Sequence, residues 1–101
     1  FSNDTPPEVR ARIQREFLAA DPTLAVKIIE PLYRMDLRET ARRVTVPVRA
    51  INADFSPTNL EANRRYFRDF AFETVARSGH YPMLERPADM NQLLDRTLAT
   101  L

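Results

Sequence analysis

Cysteine is absent from this sequence of 101 residues, and glycine and histidine occur once each. Without cysteine there is no disulfide framework, no thiol nucleophile and no thiolate metal site, and a reducing compartment, the cytoplasm, is the expected location. A long apolar run is missing too. Nothing approaches the roughly 20 consecutive apolar residues of a membrane helix, so no membrane partner is expected. Charge of one sign is equally lacking: 15 Lys and Arg face 14 Asp and Glu. Acids and bases alternate in stretches such as 34-RMDLRETARR-43, which leaves no basic stripe for a nucleic acid. The sequence opens with Phe1 and has no positively charged leader ahead of an apolar segment, and it is expected to be a fragment or a processed chain.

What is present is an ordinary globular composition, 44% hydrophobic and 29% charged, enough for one small domain or a piece of a larger one. The single glycine and the single histidine stand side by side in 78-SGHYPMLERP-87. Glycine makes up about 7% of an average sequence, so a chain with only one is expected to use it where backbone freedom is indispensable, at a sharp turn. Histidine alone has an unperturbed pKa near neutrality, and on such a turn it is suited to moving protons. The plainer reading is a surface or half-buried histidine with no chemistry.

The first half has helical periodicity. Thr5 and Glu8 form a capping-box pattern ahead of Val9, Ile13, Phe17 and Leu18, which share a face. A second helix is predicted from Asp21 and Pro22, with Leu24, Ile28 and Leu32 on one side and Pro31 expected to kink or end it. Asp36 is the expected cap of a short third helix over 37–43. From residue 44 the texture changes to β-branched and apolar, and a strand is predicted over Val48 to Ala53. A loop, 54-DFSPTN-59, leads to a second capping box, Thr58 with Glu61, and a helix through about Arg68. A second strand is expected at 72–77, then the Gly-His turn, then a helix from Pro87 with Met90, Leu93, Leu94, Thr97, Leu98 and Leu101 on its apolar side. The order strand, helix, strand, helix defines a βαβα unit with a parallel pair. Two parallel strands are too small a sheet to be independently stable. Further strands are therefore expected from an N-terminal portion of the same protein or from a partner.

Ligands of open parallel sheets bind beyond the carboxyl ends of the strands. Asp54 ends the first predicted strand and His80 follows the second, so a carboxylate and an imidazole can meet there, as orienter and base. Asp54 has a second reading, as a cap accepting the backbone N–H groups of 55-FSPT-58. Glu85, with Arg86, is read as tying the turn to the last helix, and Ser78 lacks the context of a nucleophile.

The run 46-VPVRAINAD-54, the helix after it, the strand at 72–77 and above all 79-GHYPMLERP-87 resemble the C-terminal end of an α/β-hydrolase, over roughly residues 44–101. The resemblance implies an α/β fold in which residues 44–101 are the C-terminal βαβα part of the parallel core and residues 1–43 a helical cap remnant with its connecting helix. It implies a nucleophile, acid and histidine triad, with His80 as base and Asp54 as acid. Phe55, Tyr81, Pro82 and Met83 would wall the substrate pocket. Phe17, Leu18, Tyr33 and Met35 are cap-side candidates for the same pocket, with ordinary helix packing as their other reading. Many members place the acid two residues further on, where this sequence has Ser56, and some take it from the preceding strand, outside this chain. The family's nucleophile sits on a G-x-S-x-G elbow, which a sequence with one glycine cannot contain. A small-molecule substrate, ester-like above all, and the missing N-terminal part are the implied partners, and no metal or organic cofactor is implied. Two other classes remain open: a non-catalytic hydrolase-like binding protein, and a small helical interaction domain in which the histidine is incidental.

Overall fold

β1 (Val48–Ala53) and β2 (Phe70–Val75) pair in parallel, Val48 opposite Phe70 and Ala53 opposite Val75. This is the center of a computed structural model that describes residues 1–101. Six helices are numbered by chain order around the strands: α1 (Pro7–Ala19), α2 (Pro22–Arg34) and α3 (Arg38–Arg42) come before β1, and α4 (Leu60–Arg64) lies between the strands. After β2 come α5 (Pro82–Glu85) and α6 (Pro87–Leu98). The chain is mixed α/β, and the expected βαβα order is present. α6 packs on both strands and α4 on β2. The core is small: ten of 101 residues are buried, among them Phe70, Val75, Leu93 and Ile13. Phe67 stacks on Phe70 at 5.8 Å between ring centroids and seals the start of β2.

Local chemistry explains where each element begins. Asp21 caps α2 as expected, accepting from the N–H groups of Thr23 at 2.8 Å and Leu24 at 3.3 Å. Pro31 does not end α2, which runs three residues further to Arg34. It lies in the last turn, where only one intrahelical donor is lost. Asp36 accepts from the Arg38 N–H and grips its guanidinium with both oxygens, which holds its own carboxyl down to about 2.

Both capping boxes are overturned. α1 begins after Pro6 with no side-chain cap, because Thr5 is buried and bonded to Glu85 instead. α4 is capped by Asn59, whose Oδ1 accepts from the Ala62 N–H at 2.8 Å, while the Thr58 hydroxyl accepts from Asn52 Nδ2 at 2.5 Å. α4 also stops at Arg64, short of Arg68, and the Arg64 Nε donates to the Phe70 carbonyl at 3.3 Å. β2 begins and ends two residues before its predicted span.

The helical half makes little core. In α1 only Ile13 is buried, and Phe17 and Leu18 are exposed. α2 buries no residue and leaves Leu24, Val26, Ile28, Ile29, Leu32 and Tyr33 open. The radius of gyration is 16.0 Å, against about 13 Å for a compact chain of this length. So extended an apolar surface, beside a parallel pair with free edges, favors association. The 101-residue chain on its own is expected to sediment as dimers or larger species at micromolar concentration. A monomer unfolding in one sharp transition would contradict that.

Candidate functional site

The segment 76–81 leaves the carboxyl end of β2 and is held by two carboxylates. Asp54, the first residue beyond β1, accepts the N–H of Arg77 through Oδ2 at 2.7 Å and that of Ser78 through Oδ1 at 3.1 Å. Glu85, at the end of α5, accepts the N–H of Gly79 through Oε2 at 3.0 Å and that of Tyr81 through Oε1 at 3.1 Å. Every peptide N–H from 77 to 81 is thus bound by a carboxylate except that of His80. One acid reaches the turn from far along the chain and the other from nearby: Asp54 is brought in by the strand pairing, and Glu85 reaches back by one turn of α5.

This clamp accounts for the backbone. Arg77 has φ 53°, the left-handed region that a side chain disfavors. Asp54 on its N–H, with Ser2 Oγ donating to its carbonyl at 3.1 Å, holds it there. The expected role of Gly79 changes accordingly. Its φ is not positive, and the sharp conformation falls on Arg77. Glycine is required at 79 because a Cβ there would lie 2.6 Å from Phe1 Cα and 2.7 Å from Ser2 N, so the turn is glycine for close approach and not for flexibility.

Glu85 is the center of the arrangement. It is 3% exposed and also accepts from the hydroxyls of Thr5 and, at 3.5 Å, Ser2. Burial pushes its carboxyl up, but the donors Thr5, Gly79, Tyr81 and Ser2 together outweigh it and hold the group below its ordinary value. For Asp54 the Arg77 N–H, then that of Ser78, lowers the carboxyl below its usual range. Glu85 therefore ties the turn to residues 2–5 rather than to the last helix, and it does so from α5, a short helix of its own before α6.

The imidazole of His80 is exposed and makes no side-chain hydrogen bond within the chain. The structure brings Asp54 to the histidine turn but not to the ring: its carboxylate faces the peptide N–H groups of 77 and 78, and not those of 56–58 either. The ring stands edge-on between Phe55, at 6.2 Å, and Tyr81, at 5.1 Å. It opens into a cleft of about 470 Å³ at the carboxyl ends of both strands, whose lining includes Asn52, Phe55, Ser56, Thr58, Asn63 and Met83. Phe55 and Met83 both line this cleft. Tyr81 backs the histidine and faces a separate apolar groove with Phe1, Ile13, Phe17 and Leu18, while Tyr33 and Met35 lie on neither cleft. The polar floor of Asn52, Thr58 and Asn63 was missed, although alternation along β1 puts Asn52 one step from the strand's end, a signal available in the sequence. No cluster of three or more His, Asp or Glu has metal-binding proximity.

No protein-family model, curated protein or solved structure matches this chain.

A carboxyl held below its ordinary value in the folded protein contributes stability above the unfolded value, 4.5 for Glu85, and loses it as the pH falls through the folded one. Glu85→Gln presents an amide N–H₂ to one of these donors and is expected to cost about 1–3 kcal/mol at pH 7. The gap between variant and parent should narrow below pH 4.5, since there the unfolded parent takes up a proton that the folded parent binds only at lower pH. Urea unfolding at pH 7 and pH 3.5 measures it, and an unchanged gap would remove the charge of Glu85 from the account. Gly79→Ala, driven into the Phe1 backbone, is expected to cost on the order of 1–3 kcal/mol in the same assay.

Proposed function

We propose that the chain is the C-terminal part of an α/β-hydrolase and that His80 is its catalytic base. The observation that carries this reading is the placement of the one histidine, exposed on a braced turn at the carboxyl end of a parallel pair, beside a cleft walled by Phe55 and Met83. An imidazole that is free of protein partners can take the proton of a nucleophile, return it to a leaving group and then activate water. The nucleophile comes from outside this chain, and serine is the residue expected. Asp54 acts on the turn, not on the ring: it fixes Arg77 and Ser78, and through them the position of His80. The acid that orients the imidazole then comes from outside residues 1–101 too, since Ser56, at the family's other acid position, carries no charge. Phe55 and Met83 contact the substrate, which is a neutral small molecule of the ester type, because no charged side chain lines the cleft to offset the desolvation of an ion.

One observation favors the second reading, a hydrolase-like binding protein. The imidazole has no carboxylate partner in this chain, and a histidine without an orienter can serve as a donor to a bound ligand. Turnover separates the two. In the full-length protein, His80→Ala is expected to lower kcat/KM for p-nitrophenyl esters by about 10² to 10⁴ with the fold intact. A loss of less than tenfold ends the base assignment, and a parent that binds such esters without hydrolyzing them supports the binder. Asp54→Asn discriminates between the two roles of that residue. As the orienting acid it would cost roughly 10⁴ in kcat; as a brace on the turn it lowers Tm and costs far less in rate, which is the result expected.

A further inference from the structure

Residues 1–5 lie across the histidine turn, and four separate contacts hold them there. Thr5 Oγ1 donates to Glu85 Oε2, the oxygen that receives the Gly79 N–H. Ser2 Oγ donates to the Arg77 carbonyl. The backbone of Phe1 and Ser2 fills the space that a side chain at Gly79 would need. The Phe1 ring lies 6.2 Å from Tyr81, whose own ring is 5.1 Å from His80. Thr5 is 6% exposed and Glu85 3%, so their bond is shielded from water and is worth more than a surface contact. α1 starts two residues after Thr5, and Arg10 of α1 grips the same segment through the Ser2 carbonyl at 2.9 Å and the Phe1 ring at 4.7 Å.

We propose that Thr5, acting through Glu85, is a positioning residue for His80, so that the helical half of the chain sets how the imidazole is presented to the cleft. Glu85 has no contact with the cleft and touches no reacting atom. It binds the N–H groups of Gly79 and Tyr81, the residues on either side of His80, and Thr5 fixes Glu85. A displacement of α1 is thereby passed to the histidine over two hydrogen bonds, which couples whatever the helices cover to the orientation of the ring. The catalytic consequence rests on the hydrolase reading; the mechanical link does not.

The test uses the full-length protein, with p-nitrophenyl butyrate as the rate probe and the ring resonances of His80, assigned by their loss in His80→Ala, as a readout independent of turnover. Thr5→Val keeps the volume and removes the hydroxyl. It is expected to shift or broaden the His80 ring signals and to lower kcat by roughly three- to tenfold with KM within twofold, while Thr5→Ser, which keeps the donor, restores both. A merely structural threonine would lower Tm and leave the ring signals and kcat per folded molecule unchanged, and that result overturns the proposal. If His80→Ala abolishes turnover while Thr5→Val changes neither ring nor rate, the hydrolase reading stands and the link falls. If the ring responds to Thr5→Val but His80→Ala keeps full activity, the link stands and the base assignment falls.

Discussion

Two carboxylates binding a row of peptide N–H groups hold this structure's one chemically suggestive feature in place. A turn with consecutive N–H groups pointing inward is unfavorable unless each is met by an acceptor, and a carboxylate, with two oxygens and a full charge, meets two or more at once. Asp54 supplies this from the strand side and Glu85 from the helix side. The left-handed residue at 77, the glycine at 79 and the exposed ring at 80 all follow from that double anchorage. Removing the acids would leave a segment with no fully buried apolar side chain of its own, since the turn buries only Ser78 and Gly79.

The same economy runs through the fold. β2 and α6 supply three of the four buried hydrophobic residues and α1 only Ile13, so the N-terminal helices are joined to the sheet mainly by polar contacts at residues 2–5. Side-chain hydrogen bonds to charged groups are directional, so the join is specific though small. α1 and α2 are consequently free of the sheet's packing constraints, and their apolar faces are available to other surfaces.

The parts of this arrangement that depend on near neighbors could be read from the sequence. β1 runs over its expected residues because a β-branched, alternating run between polar segments has few other uses, and Asp21 caps α2 because proline at the first helical position fixes the helix start. The capping boxes at Thr5 and Thr58 have the same local signature and mislead, because each hydroxyl has a stronger partner, Glu85 for Thr5, 80 residues away, and Asn52 for Thr58. No pattern within a window of a few residues records such a competition. Gly79 was conspicuous by its rarity, but rarity signals need and not its kind: close approach and a positive φ call for the same residue. At the site, the position of His80 after β2 was legible from the strand order, and the direction of the Asp54 carboxylate was not, since a carboxylate accepts from an imidazole or from peptide N–H groups alike.

The partners that close the turn also determine when it can form. β1 and β2 are separated by about twenty residues and α5 by a few more, so their contacts need only short loops, whereas Ser2 and Thr5 meet Arg77 and Glu85 across 75 to 83 residues of chain. Loop closure over that distance comes after local contacts in a folding chain. During synthesis Glu85 leaves the ribosome long after Thr5, which must wait unpaired until it arrives. The geometry around His80 is therefore a late product of folding, completed only when the two ends of this stretch of chain have found each other, and any species that unfolds from its ends loses that geometry first.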